Sequence, residues 1–386
     1  MPVLSYIIQQ AFNPSSSSSG FFQQWANPSD VFSVLLILGG DVVARALAQL
    51  AGSRITPVAF SFGWVSYAIM AVVHAFGENK LMPAADCACK VINGHNGFVR
   101  DNSSWIISRI MRDFETWKDD GPANRPAIQT HIGELLKHEK NSRKIIEQSN
   151  RAGLRISIYK AGNAQPGYPG HDWVYFAGFA TVIAQLGLAA IPCGLYGHWA
   201  ILVVTIAGII LSFATGALPQ WTREKWACRR NAAKTVILTR GNGSQHAIVI
   251  LGTGNGLDLE DLATAGSMSF PSCLTRCATV ILAALWILLL ITAAGIQENT
   301  WYLLAIGSIG MLDNIYVAGA SRSPKNFGIP LQFVEVIGHN KVMKALLEVE
   351  SRYPRVGRSM LRTFFPGDLE PEEQVEWDKY SKLTKE

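Results

Sequence analysis

Charge is scarce in this 386-residue chain: Asp, Glu, Lys and Arg make up 16% of it, while 49% is hydrophobic. Basic residues never run together with interleaved aromatics, which argues against a nucleic-acid partner. Six cysteines, Cys87, Cys89, Cys193, Cys228, Cys273 and Cys277, lie at spacings that give no disulfide framework, so free thiols are expected. Cys87-Ala88-Cys89 with His95 would offer three metal ligands, but a zinc site usually takes four and often a Cys-x-x-Cys knuckle, so no metal is expected. No basic region precedes the first apolar stretch, so a cleaved signal peptide is not expected and that stretch would itself direct insertion. The absence of a DDxxD-like, His-box or haem motif argues against prenyl-diphosphate, di-iron or P450 chemistry.

Long apolar stretches are what the chain has in abundance. They are VFSVLLILGGDVVARALAQLAG (31–52), PVAFSFGWVSYAIMAVVHAFG (57–77), WVYFAGFATVIAQLGLAAIP (173–192), GLYGHWAILVVTIAGIILSFATGAL (194–218), CATVILAALWILLLITAAGI (277–296) and WYLLAIGSIGMLDNIYVAG (301–319). Each reaches the roughly 20 residues that carry a helix across about 30 Å of hydrocarbon. The mean hydropathy of +0.17 averages them with the polar remainder. The first and sixth carry Asp41, Arg45, Asp313 and Asn314, costly in lipid unless paired or facing a polar cavity. The first could instead lie flat at the interface.

The fold class expected is an α-helical polytopic membrane protein of about six transmembrane helices with a small cytosolic α+β portion. Its parts are a flexible N-terminus (1–30), transmembrane helices 1–2 (31–77), a cytosolic, mostly helical loop (78–172), helices 3–4 (173–218), a cytosolic β-hairpin region (219–275), helices 5–6 (276–319) and a cytosolic α+β tail (320–386). Of 34 Lys and Arg, all but Arg45, Arg54 and Arg276 fall in the two long loops and the tail. The positive-inside rule makes that side cytoplasmic and leaves connections at 53–56, 193 and 297–300 on the other. Asn102-Ser103-Ser104 and Asn242-Gly243-Ser244 match the glycosylation sequon and keep the inverted topology open. Spans near 20 residues suit the thinner membranes, so the endoplasmic reticulum or another endomembrane is expected ahead of the plasma membrane.

Within the polar parts, Asn102 caps a predicted helix over 102–118 with Arg109 and Asp113 four apart, and 130–146 predicts a basic amphipathic helix. The stretch 234–251 has two β-rich runs around Gly241-Asn242-Gly243, a hairpin signal; 329–337 predicts a further strand and 340–352 an amphipathic helix. Gly252-Thr253-Gly254-Asn255-Gly256 invites a phosphate-loop reading but matches neither G-x-G-x-x-G nor G-x-x-x-x-G-K-[ST], so a glycine-rich turn capping a short helix is expected. The SRSPK stretch at 321–325 reads as a juxtamembrane turn with phospholipid contacts.

The chemistry then falls to the spans. At about 1.5 Å per residue, Asp41 lies roughly 15 Å and Asp313 roughly 9 Å from the cytosolic end. Asp41, Arg45, His74, Asp313 and Asn314 could therefore line one polar cavity, with Asp41, Arg45 and Asp313 as catalytic candidates and His74 and Asn314 as cavity candidates. The competing reading is a local Asp41–Arg45 ion pair that fixes packing, with His74 at the headgroups.

The stretches GFFQQWANPSDVFSVLLILGGDVVARALAQLAG, LMPAADCACKVING, GFVRDNSSWIISRIMRDFETW, LTRGNGSQHAIVILG and VESRYPRVGRSMLRTFFPGDL resemble an uncharacterised family of filamentous-fungal integral membrane proteins, some encoded beside natural-product biosynthesis genes. The resemblance covers nearly the whole chain and implies a role in secondary metabolism, but it brings no assigned catalytic residue. Three functions follow as expectations: a membrane-embedded tailoring or cyclisation factor for a lipophilic intermediate, a small-molecule exporter, or a scaffold for biosynthetic enzymes. In the first, Asp41 or Asp313 would act as acid or base and Arg45 would stabilise negative charge. The lipid bilayer, a lipophilic small molecule and other biosynthetic enzymes are the partners expected, with no cofactor.

Overall fold

The computed structural model describes Leu35 and residues 39–52, 54–118, 153–264, 271–367 and 369–383. In chain order they form α1 (Gly40–Leu50), α2 (Trp64–Val73) running into a π-helical turn at His74–Glu78, β1 (Lys90–Asn93), β2 (Val99–Asp101), α3 (Trp105–Arg112) and α4 (Phe114–Trp117). Then come β3 (Leu154–Ala161), α5 (Trp173–Tyr196), α6 (Ala200–Gly216), α7 (Pro219–Lys225), β4 (Arg230–Ala232), β5 (Val236–Thr239), β6 (His246–Leu251) and β7 (Gly256–Leu257). The rest are α8 (Leu259–Ala263), α9 (Cys273–Ala294), α10 (Thr300–Gly319), β8 (Leu331–His339), α11 (Val342–Arg352), α12 (Val356–Phe364) and α13 (Pro371–Leu383).

Three of these helices, α5, α9 and α10, are long and apolar enough to cross a membrane. The α6–α7 pair, bent by 41°, makes a fourth if it is one span. Their outward positions, among them Ile183, Leu195, Ile210, Leu274, Ile291 and Leu312, are exposed. So large an apolar exterior would drive aggregation in water and matches the hydrocarbon of a bilayer. The inner positions are small or interlocking, and Phe60, Trp64 and Trp286 stack at the centre, with ring centroids 6.2 Å apart for Phe60–Trp286 and 5.0 Å for Trp64–Trp286.

The second apolar stretch departs from its expected single span. Residues 55–61 run as an extended segment without helix or strand, 62–63 turn, and only then does α2 begin, for 10 residues. Gly63, at φ +88°, makes the turn, a conformation that costs glycine little. The extended segment enters at the end of the bundle where α6 finishes, since Thr56 Oγ1 donates to Gly216 O at 3.1 Å and Tyr175 Oη to Ile55 O at 3.1 Å. It reaches mid-height at Phe60, whose carbonyl accepts from Gln185 Nε2, near the middle of α5. From Gly63 the chain turns back as α2, and Arg276, in the first turn of α9, holds Asn79 Oδ1 at 2.6 Å. Residues 54–56 therefore lie at the same end as the sheet, not opposite it.

Extended backbone inside an apolar bundle must have its carbonyls satisfied by other groups. Ala59 O accepts from Trp64 Nε1 at 2.9 Å and Asn314 Nδ2 at 3.1 Å, and Asn314 Nδ2 also reaches Ser61 Oγ at 2.7 Å. Glycines on the surrounding helices let the segment in: a Cβ at Gly178 would lie 1.8 Å from Pro57 O, and one at Gly310 1.9 Å from Phe60 O.

The polar segments form one six-stranded mixed sheet, ordered β2-β1-β5-β6-β3-β8, in which only the β3–β6 pair is parallel. The β5–β6 hairpin turns through Gly241 and Gly243, both at positive φ. Its strands read as unbroken apolar runs because the sheet is covered on both faces. Leu238, Ile248 and Ile250 face Ile106, Ile110, Trp226 and Phe327 on the bundle side; Ile237 and Val249 face Leu346, Val349 and Met360 on the other.

The segment 78–172, expected to be mostly helical, contributes β1, β2 and β3 and, among its described residues, only two short helices. Its strands pair with partners far along the chain, which local periodicity does not register. The helix expected over 130–146 lies outside the described residues. The glycine-rich 252–256 turn precedes α8, five residues long and capped by the Asp258 carboxylate, which accepts from the N–H groups of Glu260 and Asp261 at 3.2 Å.

Candidate functional site

The five residues singled out in the spans do not converge. Asp41 and Arg45 pair with each other at 3.1 Å on the outer face of α1, with side chains 74% and 46% exposed. Asn314 is buried and belongs to the extended segment's hydrogen bonding. Its neighbour Asp313 bonds to Thr181 on α5, on another face of α10. His74 sits at the end of α2, 3.8 Å from Glu78. The shared cavity expected for them is not formed, because residues 313 and 314 point about 100° apart on a helix and α1 presents its charged pair outward. Asp41→Asn or Arg45→Ala is accordingly expected to change stability by less than about 1 kcal/mol, read as an unchanged melting temperature in detergent.

Polar residues gather instead where the bundle meets the sheet. Two helices end there, α1 and α10, and each leaves backbone carbonyls without helical partners at the negative end of its dipole. Lys225 Nζ donates to Gln49 O at 3.1 Å and Ala51 O at 2.7 Å. Arg109 Nη2 donates to Ala318 O at 2.8 Å, and Arg112 Nη2 to Gly319 O and Ala320 O at 3.3 Å. Arg322 adds Nη1 to Gln49 O at 2.9 Å, grips the Asp172 carboxylate with Nε and Nη2 at 2.8 Å, and reaches Pro169 O and Gly170 O.

The carboxylates of this layer come from three directions. Asp86 pairs with Arg109 at 3.1 Å and Arg112 at 3.3 Å, and Asp113 bonds Arg112 Nε at 2.6 Å and the Arg322 backbone N–H at 3.2 Å. Arg109 is fully buried over the Trp105 ring, 4.3 Å from its centroid. Burial pulls its pKa down to about 10 against the opposing pull of Asp86. The i, i+4 pairing expected for Arg109 and Asp113 is thus replaced by contacts to other elements, because both carry the junction.

A cavity of about 310 Å³ opens beside this layer, walled by the 80–85 strap, by Asn102–Trp105 and by α7. Its apolar wall is Met82, Pro83, Ala84, Ala85 and Trp105, and its polar groups are Glu224, Lys225, Lys80 and Ser104. Glu224 is buried; its Oε2 accepts the N–H groups of Leu81 at 2.7 Å and Met82 at 2.8 Å, and its Oε1 accepts from Gln220 at 2.6 Å. Trp105 is also buried, and its indole N–H has no partner among the described residues. A buried donor without a partner carries a desolvation cost that a partner would relieve. The volume falls within the range of small-molecule sites, about 300–1,000 Å³.

Sequence reasoning missed Glu224, Lys225 and Trp105. Next to Lys225, Trp226 donates its indole N–H to Phe327 O at 2.9 Å. The Cys87, Cys89 and His95 set does not come together: Cys89 is buried in the sheet's core, where burial pushes its thiol up to about 12, and His95 lies against Arg355. Among the described residues no group of three His, Cys, Asp or Glu could hold a metal.

The chain matches no family model, no curated protein and no solved structure.

Proposed function

We propose that this is a membrane protein that holds a lipophilic small molecule in the junction cavity, as a tailoring or cyclisation factor of fungal secondary metabolism. In this reading α5, α6, α9 and α10 span the bilayer as two hairpins, α1 and α2 enter from the sheet's side, and the sheet lies in the cytosol. The cavity then sits at the cytosolic interface, where an amphiphilic intermediate partitions.

The observation that carries the reading is the pairing, in one mostly apolar cavity, of a buried carboxylate with an unmatched indole donor. Three protein donors hold the Glu224 carboxylate and leave a lone pair on Oε1 for a ligand. Glu224 is the group placed to exchange a proton with the ligand, and Trp105 to orient an oxygen on it. The role first expected of Asp41 and Asp313 passes to Glu224 in this reading. An exporter is less well supported, since Phe60, Trp64 and Trp286 fill the bundle's centre.

The test is mass spectrometry of cell and medium extracts from the parent, a deletion strain, and strains carrying Glu224→Gln or Trp105→Phe. Accumulation of one intermediate in all three altered strains, with the variants at parental abundance, is the expected result. Product trapped inside cells would assign export instead. Parental product from both variants would leave the cavity without a role.

A further inference from the structure

We infer that the open pocket between the start of α5 and the 321–330 segment is a binding site for the phosphate of an anionic phospholipid. The pocket, about 590 Å³, lies at the far side of Arg322 from the junction cavity and is lined by Gln165, Tyr168, His171, Ser321, Ser323 and Lys325, with Asp172, Arg322 and Asn326 at its base.

Three features identify the ligand. The first is unused donors. Among the described residues, the Lys325 ammonium, the Ser321 and Ser323 hydroxyls and the His171 ring nitrogens enter no hydrogen bond or ion pair, although all line one pocket. Such a set suits the several acceptor oxygens of a phosphate diester.

The second feature is charge. Among the described residues Asp172 is the one carboxylate lining the pocket, and it is consumed by Arg322 and by Asn326 Nδ2 at 2.9 Å, besides accepting the Tyr175 N–H at 3.1 Å as the cap of α5. Lys325 and Arg322 against Asp172 leave one positive charge, facing solvent through Lys325. The third is position. Trp173 and Phe176, just after the pocket's Asp172 at the start of α5, are 74% and 52% exposed, and the lining rings of His171 and Tyr168 continue through edge-on contacts to Tyr175 and Phe176. Aromatic side chains in this arrangement mark the headgroup level of a bilayer, where a free anion has no advantage over a lipid phosphate.

The site rests on the bilayer placement proposed above. The experiment uses full-length protein purified in mild detergent with equal phosphatidylserine and phosphatidylcholine, and native mass spectrometry counts the lipids retained. One phosphatidylserine per chain is expected, favoured over phosphatidylcholine by on the order of five-fold, with the preference lost in the Lys325→Gln/Ser323→Ala double variant and kept in Lys344→Gln. Equal retention of both lipids, or a preference that the double variant keeps, overturns the site. Inorganic phosphate retained by lipid-free protein in a Lys325-dependent way, without phosphatidylserine preference, also overturns it and assigns a free anion. Carbonate extraction of membranes separates the two proposals: a chain in the resistant pellet that shows no lipid preference removes the headgroup site and leaves the bilayer placement standing.

Discussion

Replacing Arg322 by alanine is expected to destabilise the protein by about 3–5 kcal/mol, seen as a collapse of its abundance in membranes and of its melting temperature in detergent. The side chain is fully buried and touches three backbone carbonyls and both oxygens of Asp172. Its removal takes from Asp172 the only charged partner it has among the described residues, leaving it Asn326 Nδ2 and the Tyr175 N–H, and takes one of two cationic donors from Gln49 O near the end of α1. The cost is therefore the desolvation of the partners as well as the lost bonds. Arg322→Lys keeps the charge but has no planar fork for the bidentate grip on Asp172, so an intermediate loss is expected. A melting temperature unchanged in Arg322→Ala would mean that the buried polar layer does not hold sheet and bundle together.

Introducing a methyl group at Gly310 or Gly178 is expected to be nearly as damaging. Gly310→Ala would place its Cβ 1.9 Å from Phe60 O, and Gly178→Ala 1.8 Å from Pro57 O. Neither obstacle is a flexible side-chain end: both are backbone of the extended segment, which is hydrogen-bonded through Ala59, Phe60 and Ser61. Overpacking of this kind costs about 1–3 kcal/mol even where side chains can shift, and the upper end is expected here. Gly187, also in α5, has nothing within 4 Å of an added Cβ. Gly187→Ala should be neutral or stabilising by up to about 1 kcal/mol through helix propensity. Limited proteolysis checks the mechanism: cleavage within 54–63 should appear in Gly310→Ala and stay absent in Gly187→Ala. Equal behaviour of the two would remove the close-packed extended segment from the account.

The sequence and the structure agree where interactions are local. Cys273–Ala294 is read correctly from its apolar length, because a helix satisfies its own backbone and needs only apolar side chains outward. The hairpin over 234–251 is legible from Gly241-Asn242-Gly243 between two β-rich runs, and the helix at 342–352 from its 3.6-residue period. The stretch 57–77 misleads for the same reason. Its composition is that of a span, but Pro57, Ser61 and Gly63 near its start were the only local signs that a third of it is not helical.

The candidate site was far less legible. Arg109, Lys225 and Arg322 look in sequence like loop cations, and their function as caps for α1 and α10 depends on which carbonyls the fold delivers to them. Asp41 and Asp313 stood out because charge within an apolar run is conspicuous. Glu224, in a segment with charged neighbours, did not stand out, although it is the one brought into a cavity wall.

Apolar run length and basic-residue placement thus determined, from the sequence alone, that the chain has a membrane-compatible helical part and a folded polar part. Only the tertiary structure decided that the second apolar stretch enters the bundle extended, that three separate polar segments share one sheet, and that buried cations close two helix ends beside a cavity. The reason is physical: hydrophobicity and helix propensity act within a turn or two of chain, whereas carbonyl satisfaction, ion pairing and close glycine contacts join residues as many as 273 positions apart.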